Sequence, residues 1–180
     1  MGKAKTPGQQ FPKTITRKEL MVKGSDAKLR KLLYEITALA GRIETMRAAF
    51  AKSFGITRPQ YNVLLYIAQH QGEIGLTTKQ VADALKVSSA HIVQEVNQLI
   101  RLGLISKKQN QEDGRSVLLT ATDASIEKIH NLSPVLQLVN DELFGSLSKD
   151  EFEQMSLSIE AILEDADKVL CKLPAYMSSH

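Results

Sequence analysis

Apolar residues recur at spacings of three and four along most of the chain, and the places where that rhythm breaks divide it into elements. From Ser25 the series Leu29, Leu32/Leu33, Ile36, Leu39/Ala40, Ile43, Met46 and Phe50 marks one face of a long amphipathic helix. Its predicted end is Phe54-Gly55, with the glycine just past the last turn. Thr57-Arg58-Pro59-Gln60 then has the chemistry of a capping box with proline in the first turn. The helix it opens carries Tyr61, Val63, Leu64, Leu65 and Ile67 and runs to about Gln71-Gly72.

The same capping chemistry returns at Thr77-Thr78-Lys79-Gln80, ahead of a short apolar face of Val81, Ala82 and Leu85. Val87-Ser88-Ser89 interrupts it, and Ser88 is placed to cap a longer helix with Ile92, Val96 and Leu99/Ile100 inward. The outward positions of that helix read Ser89, His91, Gln94, Glu95 and Gln98. Short and amide side chains replace the lysine and glutamate that usually solvate a helix. The pair is a helix-turn-helix.

After Leu102-Gly103 the period changes. Leu104 to Lys108 and Ser116 to Thr120 read as two strands, joined by a loop with the turn signal Asp113-Gly114 and with Arg115 at its tip. A helix-turn-helix followed directly by a hairpin is a winged helix, and the hairpin is the wing. Helical spacing resumes at Thr122-Asp123 with Ile126, Ile129, Leu132, Val135/Leu136, Val139 and Leu143. Pro134 lies inside this series; either it interrupts one helix or Ser133 caps a second. Ser148-Lys149-Asp150-Glu151 is a further capping box, and the last helix carries Phe152, Met155, Ile159, Ile162/Leu163, Ala166 and Val169/Leu170 before fraying after Pro174.

The expected fold is therefore mainly α, a winged helix-turn-helix with a two-stranded β wing between long N- and C-terminal helices. Four parts follow: a mobile basic arm over 1–24, helical segments over 25–55 and 123–173, a winged lobe over 56–122, and a tail over 174–180.

Charge sharpens this picture. The net charge is +3, but residues 1–25 carry +5, residues 77–120 carry +2 and residues 123–167 carry −9. A polyanion would meet the arm and the middle of the chain, and the acidic segment would stay away from it. Only 5% of residues are aromatic and none is Trp, so stacking on single strands is not the expected mode.

The chemistry of catalysis is missing from the sequence. It contains no glycine-rich phosphate loop, no HExxH and no nucleophile elbow, and the acids of 123–167 fall on solvated helical faces. The single Cys171 forms no internal disulfide, and His70, His91, His130 and His180 lack ligand spacing. No cofactor or metal is expected. No stretch approaches the roughly 18 to 20 apolar residues that cross a bilayer, and the basic N-terminus lacks an apolar signal core. A soluble, cytoplasmic protein is the expectation.

The segment from Thr77 to Thr122 resembles the MarR family of bacterial transcriptional regulators. The likeness is carried by VADALKVS before the second helix of the pair, by LIRLGLI leading into the wing, and by Asp113-Gly114-Arg115 followed by Leu119-Thr120. It implies a homodimer joined through the first and last helices, gripping a pseudo-palindromic duplex site with two recognition helices and two wings. It also implies a small-molecule effector between the dimer region and the DNA-binding lobe.

On this resemblance Ser88, Ser89, His91 and Gln94 match the groove-facing part of the recognition helix. Arg115 matches the wing-tip arginine, with Asp113 as its orienting partner. Lys79, Arg101, Lys107 and Lys108 would neutralise phosphates, and Thr77, Thr78 and Ser88 would hold the backbone. Tyr34, Arg47, Tyr61 and His130 are candidates for the ligand pocket, against a plainer reading as core or surface residues.

The chain departs from the family pattern in three places. Gln94 stands where many members have arginine, which shifts readout from guanine towards adenine. The second wing strand is short, and Ala121-Thr122-Asp123 replaces the usual glycine. Cys171 lies in the last helix, away from the position of redox-sensing thiols. Whether binding represses or activates depends on where the site lies relative to a promoter. The competing expectation is a winged-helix module for protein–protein contact, without sequence-specific DNA binding.

Overall fold

A computed structural model describes residues 11–111 and 113–178. Residues 1–10 of the expected arm and 179–180 of the expected tail lie outside the described residues. The chain divides into two compact units, one running through Ile126 and the other from Glu127.

In the first unit, α1 (Ala27–Ser53) leads to α2 (Arg58–His70), β1 (Leu76–Thr77), α3 (Thr78–Leu85), α4 (Ser89–Arg101), β2 (Ile105–Gln109) and β3 (Val117–Ala121). The capping chemistry acts as its residue types require. Thr57 and Gln60 satisfy each other's backbone amides at the head of α2, and Thr77 and Gln80 do the same at the head of α3. Gly55 and Gly103 take positive φ where α1 and α4 end.

The core is built around α2. Tyr61, Val63, Leu64 and Ile67 pack with Val81 and Ala82 of α3, Ile92, Val96 and Leu99 of α4, Leu104 just before β2, and Ile105 and Leu119 of the sheet, all buried. The last turn of α1 joins them through Ala51 and Phe54, with the Phe54 ring edge-on to Tyr61 at 5.6 Å. Gln71 Oε1 accepts from the Ala121 amide at 2.6 Å and ties the end of α2 to the sheet.

The expected hairpin is present, but the sheet has three antiparallel strands in the order β1-β3-β2. Leu76 pairs with Leu119 and Thr77 with Leu118. A strand of two residues has no period to read, so the pattern could not announce it. Its entrance is fixed by Gly75, buried at φ +97°, where an added Cβ would stand 2.8 Å from the Leu119 carbonyl oxygen.

The second half of the expected arm is not featureless. Lys18–Leu20 forms a 3-10 turn, and Val22 and Ser25 exchange backbone hydrogen bonds across Lys23-Gly24, both at positive φ. The Thr14 amide and hydroxyl donate to Asp26 Oδ2 at 2.6 and 2.8 Å. Asp26 also pairs with Arg30, whose guanidinium lies 4.9 Å from the centre of the Phe11 ring. One buried carboxylate thus fastens residues 11–25 to the start of α1, a long-range contact that periodicity does not encode.

Beyond the sheet, Thr122 caps α5 (Asp123–Phe144) through the Ser125 amide at 3.3 Å, and the helix is continuous with Pro134 inside it. In the second unit α5 meets α6 (Lys149–Ser178) at the Phe144 and Phe152 rings, 6.0 Å apart and edge-on. Ser148 and Glu151 form the expected cap, and the Ser148 hydrogen bonds hold the Glu151 carboxyl below its ordinary pKa. The predicted fraying after Pro174 is corrected: α6 continues to Ser178, since proline removes one ladder bond while its φ still suits a helix.

The two longest helices keep apolar faces uncovered. Leu32, Leu33, Ile36 and Leu39 of α1 are exposed, and no residue of α6 is buried.

Candidate nucleic-acid interface

The interface begins with the core beneath it. Ile92, Val96 and Leu99 anchor α4, so the opposite face is set by helix geometry. That face presents Ala90, Gln94, Asn97 and Arg101, all exposed, with Val93 and Gln98 on its flanks. Gln94 and Arg101 were expected there. Ala90, Val93 and Asn97 were missed, although the spacing of Ala90, Gln94, Asn97 and Arg101 opposite the buried series was a readable signal. Glu95 is drawn inward, its side chain 12% exposed, facing His91 Nδ1 at 3.9 Å.

His91 itself is turned towards α2. It borders a cleft of about 200 Å³ with Arg58, Asn62, Leu85 and Val87. Ser88 caps α4 by accepting from the His91 amide at 3.2 Å, and Ser89 follows on the exposed first turn. The free amides of this turn and the helix dipole make the start of α4 favourable for an anion.

At the start of α3, the Thr77 hydroxyl donates to Gln80 Oε1 at 2.9 Å and accepts from the Gln80 amide at 3.2 Å. Its hydrogen is engaged within the cap. Thr78 is half-buried beside it and Lys79 is exposed.

The register of the wing separates two lysines that adjoin in sequence. Lys107 lies opposite Leu119, and Lys108 opposite Leu118. Successive strand residues face opposite ways, so Lys107 shares the face of buried Leu119. Lys108 turns to the other side, where it borders a recess of about 740 Å³ with Ile74, Thr77, Gln80, Gln111 and Leu118.

The wing tip is organised by side chains. Asn110 binds Ser116 through backbone and side chain at 3.1 and 2.9 Å, and the Ser116 amide donates to the Asp113 carbonyl at 2.9 Å. Asp113 Oδ1 accepts from the Arg115 backbone amide at 3.1 Å. Asp113 therefore shapes the turn that carries Arg115, and the Arg115 side chain is exposed at its end.

Of the candidate pocket residues in the first unit, Tyr61 and Arg47 stand together and Tyr34 stands apart. Tyr61 lies in the core between α1 and α2, where burial raises the pKa of its phenol and the nearby Arg47 opposes that shift. Arg47 donates to Asn62 Oδ1 at 2.9 Å. Tyr34 is exposed on α1, nearly four turns and roughly 20 Å of helix axis away from Arg47. His130 belongs to the second unit.

No group of histidine, cysteine and acidic side chains suited to a metal occurs among the described residues. No helix among them is long and apolar enough to cross a membrane.

Comparison with known proteins bears on the same region. Residues 54–116 match the family model described as the MarR family. An organic hydroperoxide resistance transcriptional regulator of Bacillus subtilis (strain 168) is 35% identical over 68 residues, 38% of this chain and 44% of that protein. The alignment thus spans less than half of that relative's length. Among solved structures, a MarR protein from Peptoclostridium difficile superposes with a TM-score of 0.67 at 21% identity, over 85% of this chain and 96% of that one. An S. aureus MepR–DNA complex gives a TM-score of 0.64 at 23% identity, over 73% and 96%. The architecture is shared with these winged-helix structures.

Proposed function

We propose, for a chain whose winged-helix lobe at residues 54–116 is of the MarR family, a role as a DNA-binding transcriptional regulator. Members of that family regulate transcription and are not enzymes. The observation that carries the reading is the outer face of α4. A helix anchored by three buried aliphatic residues presents small and amide side chains, with a cation at its end and an arginine-tipped wing following it.

In this reading α4 enters the major groove. Gln94 and Asn97 offer amides that suit the N6 and N7 edge of adenine, and Val93 offers an apolar surface for a thymine methyl. Ser89, the Ser88 hydroxyl and the amides of the first turn hold the phosphate backbone. Lys79, Arg101 and one face of the wing add salt-sensitive affinity, and Arg115 reaches the minor groove or its phosphates. His91, with Glu95, lies at the edge of this surface.

A homodimer is the second part of the proposal. Twofold symmetry would set two α4 helices in successive major grooves, about one helical turn apart. The apolar faces left open on α1 and α6 support a second copy as their cover, since exposed apolar patches of this extent mark interaction surfaces. A small-molecule effector would act by favouring one spacing of the two lobes over the other. Tyr61 and Arg47 are the pocket candidates that stand together, and release of DNA by trial effectors in the assay below tests them.

Selection from a random duplex library, followed by anisotropy titration across a salt series, tests the DNA reading. An enriched inverted repeat with a steep salt slope is expected. Gln94→Ala should change preference at one base position by about 1–3 kcal/mol. Arg115→Ala should weaken all sites alike and lower the salt slope by about one. Weak binding with no enriched sequence, indifferent to both substitutions, would move the chain to the protein-contact alternative.

A further inference from the structure

Residues 11–25 are held in place and their role is unassigned. The Thr14–Asp26 bonds, the hairpin turn at Lys23-Gly24 and the Phe11–Arg30 contact fix them to the head of α1. Together with α1 they form a notch of about 320 Å³, lined by Leu20, Val22, Leu29 and Leu32, with Lys28, Lys31, Glu19 and Glu35 on its rim and Lys31 paired to Glu35 at 3.2 Å. Outside the notch, Lys13, Lys18 and Lys23 are exposed, and none forms an ion pair among the described residues. Arg17 meets an acid, Glu19, at 3.7 Å.

The complementary surface lies on α6. Glu153, Glu160, Glu164 and Asp167 fall within about 60° of arc at the helical repeat of 100° per residue. Along the edge of that acidic ridge stand Leu163 and Leu170, both more than half exposed. Glu160 and Glu164, one turn apart, repel each other, a cost that a cationic neighbour relieves. The rim of the notch is balanced in charge, so the match in sign comes from Lys13, Lys18 and Lys23 beside it, which complement the glutamate flank of an apolar ridge.

We propose that residues 11–25 form a strap that docks on α6 of a second copy of this chain, inserting α6 leucines into the notch and setting Lys13, Lys18 and Lys23 against Glu160 and Glu164. The inference rests on the homodimer proposed above. It gives the N-terminal basic charge a protein partner in place of a nucleic acid. A segment that searches for phosphates gains nothing from being fastened at both ends of residues 11–25. A docking surface gains, because the ordering is complete before the partner arrives. By twofold symmetry each dimer carries the contact twice.

Two charge-reversed proteins test this, one with Lys13→Glu, Lys18→Glu and Lys23→Glu, the other with Glu160→Lys and Glu164→Lys. Sedimentation at about 0.15 M salt measures the dimer dissociation constant of each alone and of their mixture. Each alone should dimerise about tenfold more weakly than wild type or worse. Mixing should restore wild-type affinity, because a heterodimer pairs reversed strap with reversed α6 and native strap with native α6. Restoration also shows that both variants are folded. Wild-type affinity in each variant alone would overturn the strap and leave the dimer standing. Weakening that mixing does not repair would mean that the segment docks within its own chain or not at all. A wild-type protein that stays monomeric would overturn the dimer reading itself, and the strap with it.

Discussion

Asp26 shows how much one side chain can organise. Its carboxylate accepts two hydrogen bonds from Thr14 and faces Arg30, and these hold its pKa down from 3.8 to about 2, with the Thr14 backbone amide as the largest cause. Because the folded value is depressed, the stabilisation is complete above the unfolded value and is lost as the pH falls through the folded one. Protection of the Thr14 amide in hydrogen exchange should therefore persist at pH 5 and vanish progressively between pH 3.8 and about 2. Asp26→Asn should show the unprotected state already at neutral pH. A Thr14 amide equally protected in that variant would show that the carboxylate does not hold the segment. The sequence gives no sign of this bond, because the partners lie far apart along the chain. By contrast, Thr57, Thr77 and Ser88 were legible as caps, since a cap is satisfied by amides two or three residues away.

At the scale of elements, the short strand β1 is a feature the pattern could not supply, and Gly75 is the residue on which it turns. A side chain there faces two separate penalties. The positive φ disfavours any L residue, and the Leu119 carbonyl oxygen, 2.8 Å from the position of a Cβ, belongs to the central strand and cannot step aside without breaking the β1–β3 pairing. Gly75→Ala should cost about 1–3 kcal/mol, lowering the thermal midpoint by several degrees. The effect should be absent at Gly72→Ala beyond its own backbone strain, since open space surrounds that glycine. Equal midpoints for the two variants would remove the close approach from the account. The same element logic explains the wing lysines. Adjacency in sequence suggested one shared phosphate-binding role for Lys107 and Lys108, whereas the strand period sends them to opposite faces.

For the molecule as a whole, the balance of covered and uncovered apolar surface decides what it needs. The winged lobe buries its own core around α2, while α6 buries none of its residues and α1 leaves its leucine stripe open. A chain completed by a second copy has a thermal midpoint that rises with protein concentration, by roughly a few degrees for each hundredfold, because only the folded state dimerises. Scans over a hundredfold range of concentration, with mass measured in parallel, should show that rise together with dimer mass. A flat midpoint with monomer mass would leave the open faces of α1 and α6 without the partner proposed for them.

Local physics explains what the sequence determined by itself. Period, capping and turn residues located the helices, the helix-turn-helix and the wing hairpin, because each of these depends on atoms within a few residues of one another. They also indicated Gln94 and Arg115 as exposed candidate residues, and both are exposed. Contacts between distant residues decided the remainder. The pairing of Leu76 with Leu119 added a third strand. Thr14 on Asp26 turned part of an expected arm into a fastened segment. The depth at which Ile92, Val96 and Leu99 seat α4 chose which flank faces outward, exposing Val93 and Asn97 and drawing Glu95 inward. Such outcomes depend on which surfaces meet when the chain is packed, and a local pattern does not record them.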